Sequence, residues 1–141
     1  MKIFRSFLAA SAVMLSATTL QAQDRLPADS MELGRKYTQW FFTGMSDSLL
    51  AHMDSGGKTS MTIGEIEQAM AQVATRAGNE VTVIEEKFIT RNGRRQYWRT
   101  GKYDILDEPF LIRWVINPKG EIAGVGMGPL SEAPAVDPPK N

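Results

Sequence analysis

Apolar side chains recur at spacings of two to four in the first half of the chain and at every second position in the later part, so the sequence predicts helices followed by strands. Met31, Leu33, Tyr37, Trp40 and Phe41 mark a first helix between Asp29 and Phe42. Asp29 or Ser30 can cap it, Glu32 favours its first turn, and Gly44 is its stop. A short second helix runs from Ser46 or Asp47 through Leu49, Leu50 and Met53, and should end before Ser55-Gly56-Gly57, where paired glycines make helix costly. Thr62 and Glu65 have the spacing of a capping box, and Ile63, Ile66, Met70, Val73 and Ala77 then form one face of a helix closed by Gly78.

Beyond Gly78 the period becomes two. Val81 to Ile89 reads as a strand, Arg91-Asn92-Gly93-Arg94 as a hairpin turn, and Arg95 to Tyr103 as the returning strand. Asp104 to Pro109 is a loop, Phe110 to Ile116 a third strand, Asn117-Pro118-Lys119-Gly120 a turn, and Glu121 to Met127 a fourth strand. From Pro129 on, prolines at 129, 134, 138 and 139 stand among charged and small residues, a composition expected to leave residues 129–141 as a disordered tail. The expected fold is α+β: N-terminal helices packed on one face of a curved four-stranded antiparallel sheet, within residues 29–128.

That element order resembles the cone-shaped cystatin-like and nuclear-transport-factor-2-like folds, and in particular an uncharacterised bacterial family of small exported domains within that superfamily. The residues that carry the likeness are the aromatic end of the first helix (Tyr37, Trp40, Phe41, Phe42), the capped helix from Thr62 to Ala77-Gly78, and the run Pro118-Lys119-Gly120-Glu121-Ile122-Ala123-Gly124. The resemblance implies fold more than activity, because it brings no catalytic residues with it.

The N-terminus changes the picture of where the domain works. Lys2 and Arg5 precede an apolar run from Phe7 to Leu15, followed by smaller and polar residues ending Leu20-Gln21-Ala22-Gln23, which is the order of a secretory signal peptide over residues 1–22. A membrane anchor would need about 20 unbroken apolar residues, and Ser11, Ser16, Thr18, Thr19 and Gln21 interrupt this one. The expected product is exported, periplasmic or secreted, and not an integral membrane protein. With no cysteine in the chain, disulfides, thiolate metal sites, thiol nucleophiles and a lipidated cysteine are all excluded. Loss of Lys2 and Arg5 takes the 16 basic residues to 14 against 16 acidic, so no basic field exists to hold nucleic acid.

Chemistry has few footholds. His52 is the sole histidine, and Asp54 two residues on offers a carboxylate, the ingredients of a general base. Residues two apart on a helix do not face each other, however, and a polar helix-end histidine bonded to the last carbonyls explains His52 as well. Tyr97, Arg99, Gly101 and Tyr103 share one strand face, Phe110, Ile112, Trp114 and Ile116 one face of the next strand, and Arg113 the opposite face. An arginine among apolar neighbours could anchor an anion inside a cone, or pair with Glu85 or Glu86 across the sheet. Tyr97, Trp98 and Tyr103 could stack on a ligand or simply pack.

Gly124, Gly126 and Gly128 lack the following helix that a dinucleotide loop needs, and instead clear one strand face for close approach. Arg91, Arg94, Arg95 and Arg99 gather at the hairpin, where they would either attract an anionic polymer or lipid headgroups or protect an edge. Glu85 and Glu86 point to opposite faces and cannot form a dyad.

These features point to a non-catalytic domain that binds a small molecule or an envelope protein between sheet and helices, with no cofactor and no metal. Tyr97, Arg99, Tyr103, Arg113 and Trp114 are the residues to search for its lining. The rivals are a cone-fold enzyme using His52 or Asp54 in proton transfer or hydration, and a self-associating module, a homodimer for instance, that pairs through an exposed strand.

Overall fold

The structure is a computed structural model that describes residues 27–139. The expected signal peptide lies outside the described residues. Helix α1 (Pro27–Phe42) ends as its sequence implies, with Gly44 at φ +76° turning the chain into α2 (Ser46–Ala51). The next segment departs from expectation. The second helix ends before Ser55-Gly56-Gly57 as expected, though at Ala51 and not Met53, but the glycines do not stay out of helix: they start α3 (Ser55–Ser60). The Asp54 carboxylate caps it by accepting from the amide of Gly57 at 2.8 Å, and the Thr59 and Ser60 hydroxyls bond back to carbonyls one turn earlier. Gly57 also serves packing, since a Cβ there would come within 2.9 Å of the Met53 side chain. Local capping and a close approach outweigh glycine's poor propensity.

Helix α4 (Ile63–Arg76) carries the capping box in full: the Thr62 hydroxyl accepts from the Glu65 amide, and the Glu65 carboxylate accepts from the Thr62 amide. Ile66 and Val73 are buried while Ile63 is exposed, so the working face starts one turn later than the apolar pattern implies.

Four strands follow, β1 (Glu80–Arg91), β2 (Arg94–Tyr103), β3 (Phe110–Ile116) and β4 (Ile122–Pro129), in one antiparallel sheet of order β1-β2-β3-β4. Asn92 and Gly93, at φ 53° and 70°, make the two-residue hairpin turn between β1 and β2. Pairing fixes the faces. Phe88, Tyr97, Trp114 and Val125 form one row across the sheet, and Lys87, Trp98, Arg113 and Gly126 the neighbouring row on the other face.

The first of these faces meets the helices. Tyr37 and Phe41 of α1 pack with Leu49, Met53, Ile66 and Val73 against Tyr97, Tyr103, Phe110, Ile112 and Trp114. Buried polar groups are matched: Trp114 Nε1 donates to the Thr38 hydroxyl at 2.9 Å, that hydroxyl donates to the Gly34 carbonyl at 2.8 Å, and the Tyr37 hydroxyl donates to the Gly120 carbonyl. The helices thus cover one face of the sheet, an α+β architecture.

Part of the other face is covered by a segment whose composition argues for disorder. After β4 the chain makes a 3-10 turn (Leu130–Glu132) and runs on across the outer face to the β1–β2 hairpin. The Leu130 amide donates to the Pro109 carbonyl at one end, and at the other the Asp137 amide donates to the Thr90 carbonyl. The Asp137 carboxylate accepts from the amides of Asn92 and Gly93 at 2.9 and 3.0 Å, and Arg91 Nε donates to the Ala135 carbonyl. Prolines reduce the freedom the tail must give up, and the turn amides supply the partners it needs. Trp98 and Leu111 are buried on this face.

Candidate functional site

Strand pairing divides the five candidate lining residues. Tyr97, Arg99, Tyr103 and Trp114 point toward the helices and Arg113 points away. Tyr97, Tyr103 and Trp114 are at most 2% exposed and belong to the aromatic core, so the centre of the interface is filled and not hollow.

Arg99 lies at the margin of that core, in a charge network. Its Nε donates to Glu80 at 2.9 Å, its Nη2 to the other oxygen of Glu80, and its Nη1 to Glu86 at 3.2 Å. Arg35 of α1 clasps Glu86 through Nε and Nη2 at 2.8 to 3.1 Å, and the Tyr97 hydroxyl donates to Glu86 at 2.5 Å. The Arg35 hydrogen bonds, helped by that of Tyr97 and by the nearby Arg99 charge, hold the Glu86 carboxyl at about 2 against partial burial. The Glu80 hydrogen bonds raise Arg99. Burial, then the bond to Glu86, raises Tyr97, while burial and the nearby Glu80 carboxylate raise Tyr103.

Two carboxylates satisfy the arginine, so it acts as a clamp between β1 and β2 and not as a free anion anchor. Glu86, which the sequence offered as a partner for Arg113, pairs with Arg99 instead. Glu80 and Arg35 are not legible there, because neither the strand register nor the placement of α1 over β1 follows from periodicity. A polar cleft of about 470 Å³ opens beside the network, with Gln39, Phe42 and Asn79 on its walls.

Arg113 takes neither of its anticipated roles. Its guanidinium lies over Gly126, where a Cβ would fall 2.4 Å from Cζ, so the glycine row makes room for an arginine and not for a helix or a ring. No hydrogen bond or ion pair to it occurs among the described residues, and burial, then the Arg91 charge, lowers its pKa. The hairpin cluster likewise disperses. Arg99 turns inward, Arg95 sits 5.3 Å over the Phe88 ring, and Arg91 holds the tail.

His52 and Asp54 each have a local structural role. His52 Nδ1 donates to the Ser48 carbonyl at 2.8 Å at the end of α2, and its ring meets Trp40 edge-on at 4.7 Å. The Asp54 carboxylate caps α3. The peptide groups around them, not the side chains, reach the sheet: the His52 carbonyl accepts from the Ile122 amide and the Asp54 amide donates to the Ile122 carbonyl.

The larger apolar opening lies elsewhere, between α4 and β4. This groove of about 500 Å³ is lined by Val73, Leu106, Phe110, Val125 and Met127, with Arg76 on its rim. Met127 and Val125 project into it because β4 is the sheet's second edge and its inward residues reach past the packed core. Sequence periodicity gave Val73 and Phe110 as core residues but not the gap beside them. Among the described residues no cluster of three metal-ligating side chains occurs, and no helix is long and apolar enough to cross a membrane. No protein-family model, curated protein or solved structure matches the chain.

Proposed function

We propose that the chain is an exported, non-catalytic binding domain whose ligand, a small and mostly apolar molecule, sits in the groove between α4 and β4. The observation that carries this is the lining itself. Val73, Leu106, Phe110, Val125 and Met127 offer an apolar wall, and Arg76, with no ion pair among the described residues, and Glu132 add one charge of each sign to its lining. Concave, mostly apolar sites with a few polar groups are what small ligands use. Export rests on the basic start, apolar run and small-residue end of residues 1–22. The helices on one face of a four-stranded meander support kinship with the cone-shaped cystatin-like and nuclear-transport-factor-2-like domains, whose concavities serve binding.

A thermal-shift screen against fatty acids, lipid fragments, glycans and envelope metabolites tests the reading. An apolar ligand should raise the melting temperature of the protein, and Ala69→Trp, which fills the groove from α4, should abolish the shift. Arg76→Gln should weaken only ligands that carry an anionic group. A shift that survives Ala69→Trp, or no shift with any compound, counts against the groove and turns attention to an envelope protein partner. His52→Ala should leave the shift intact, whereas a proton-transfer enzyme built on His52 and Asp54 would lose turnover.

A further inference from the structure

Among the described residues no strand lies beyond β1, which is an edge of the sheet, and three of its first five residues are apolar where edges are usually blunted. Val81, Val83 and Ile84 are 61, 41 and 56% exposed. Single exposed apolar residues are ordinary, but three within four positions on an open edge offer side chains and unpaired backbone together. Shifts in the β1–β2 register leave Val81 and Ile84 without partners on β2, and both are exposed. The other end of the strand is closed, because the tail bonds to the Thr90 carbonyl and Arg91 holds Ala135. The stretch open for pairing therefore ends near Phe88.

Within it, Glu85 and Lys87 share the outer face, both side chains about half exposed and 3.2 Å apart. Opposite charges placed symmetrically about Glu86 make the strand complementary to itself. In two antiparallel copies related by a two-fold axis at Glu86, Glu85 of each faces Lys87 of the other. Glu86 meets its own copy at the axis, but Arg35 and Arg99 already neutralise it. An axis at Glu85 or at Lys87 sets like charges against each other, and an axis at Phe88 needs Thr90 and Arg91, which the tail occupies.

We infer that the protein pairs with a second copy of itself through β1, antiparallel and centred on Glu86, joining two four-stranded sheets into one of eight strands. This interface is separate from the α4–β4 groove and does not depend on what the groove binds. Sedimentation velocity over a concentration series, with wild type and charge variants, tests both the dimer and its register. Wild type should pass from monomer to dimer as concentration rises. Glu85→Lys alone and Lys87→Glu alone each turn two symmetry-related attractive pairs into repulsive ones and should weaken the dimer by about tenfold. The double variant Glu85→Lys/Lys87→Glu should recover the wild-type dissociation constant. Both side chains are exposed, so circular dichroism and melting temperature should show all three variants folded. A protein that stays monomeric throughout, or single variants that dimerise as tightly as wild type, overturns the proposal.

Discussion

The Tyr97 ring packs so closely on the backbone of Gly34 that a Cβ at position 34 would fall 2.2 Å from the ring's Cγ. Tyr97 is fully buried and its hydroxyl is tied to Glu86, so the ring cannot swing aside without breaking that bond. Helix α1 and strand β2 meet at this contact, and the approach requires a glycine in the middle of a helix.

Gly34→Ala should therefore destabilise the fold. Alanine improves helix propensity by about 1 kcal/mol, but overpacking of a rigid aromatic contact costs roughly 1–3 kcal/mol or more. At a 2.2 Å approach the cost lies at the upper end of that range, so the expected net loss is about 2 kcal/mol, read as a lower urea midpoint with an unchanged slope. A gain in stability would mean that α1 can lift from Tyr97 at little cost.

The charge network sets a pH dependence. Arg35, with help from Tyr97, stabilises the ionised form of Glu86, whose pKa falls from an ordinary 4.5 to about 2. A carboxyl depressed in the folded state contributes its full stability above the unfolded value, near 4.5, and loses it as pH falls toward 2. Urea midpoints should decline over that window for wild type. Glu86→Gln should lower the midpoint at pH 7 and make the acid decline shallower. An identical acid profile in the variant would assign the decline to other carboxylates.

The tail makes its own prediction. Asp137→Ala removes the carboxylate that accepts from Asn92 and Gly93, so those two amides should exchange with solvent much faster while amides of β2 and β3 keep their protection. The global cost should be about 1 kcal/mol, as for one charge-assisted contact at a surface. Unchanged protection at Asn92 and Gly93 would show that the tail does not hold the turn.

The parts of this fold that depend on neighbours in sequence were legible from it. The Thr62–Glu65 capping box, the Asn92-Gly93 turn, the Phe110 to Ile116 strand and the order of the meander all follow from local chemistry, and all are present. Strand parity likewise set Arg113 and Trp114 on opposite faces of β3, while the β2–β3 register that places Arg113 away from Tyr97, Arg99 and Tyr103 came only with the structure. What stayed hidden depends on residues distant in sequence. Glycines 56 and 57 read as a helix break until Asp54 and Met53 are set beside them. Pro129 to Asp137 reads as disordered until the hairpin amides appear as partners. The candidate site suffered most, since composition cannot distinguish aromatic rings that fill a concavity from rings that line one. Tyr97, Tyr103 and Trp114 fill it, and the groove opened beside α4 instead.

The route of the C-terminal segment also orders events in time. Its two anchor points, the carbonyls of Pro109 and Thr90, belong to parts of the chain completed well before it. A polypeptide made from its N-terminus has all four strands available before the last residues are free. Leu111 shares a small cleft with Glu132, Ala133 and Pro134, so this side of the sheet gains that cover only when the last residues reach back to Pro109 and Thr90, and closing the domain is the final step of its assembly.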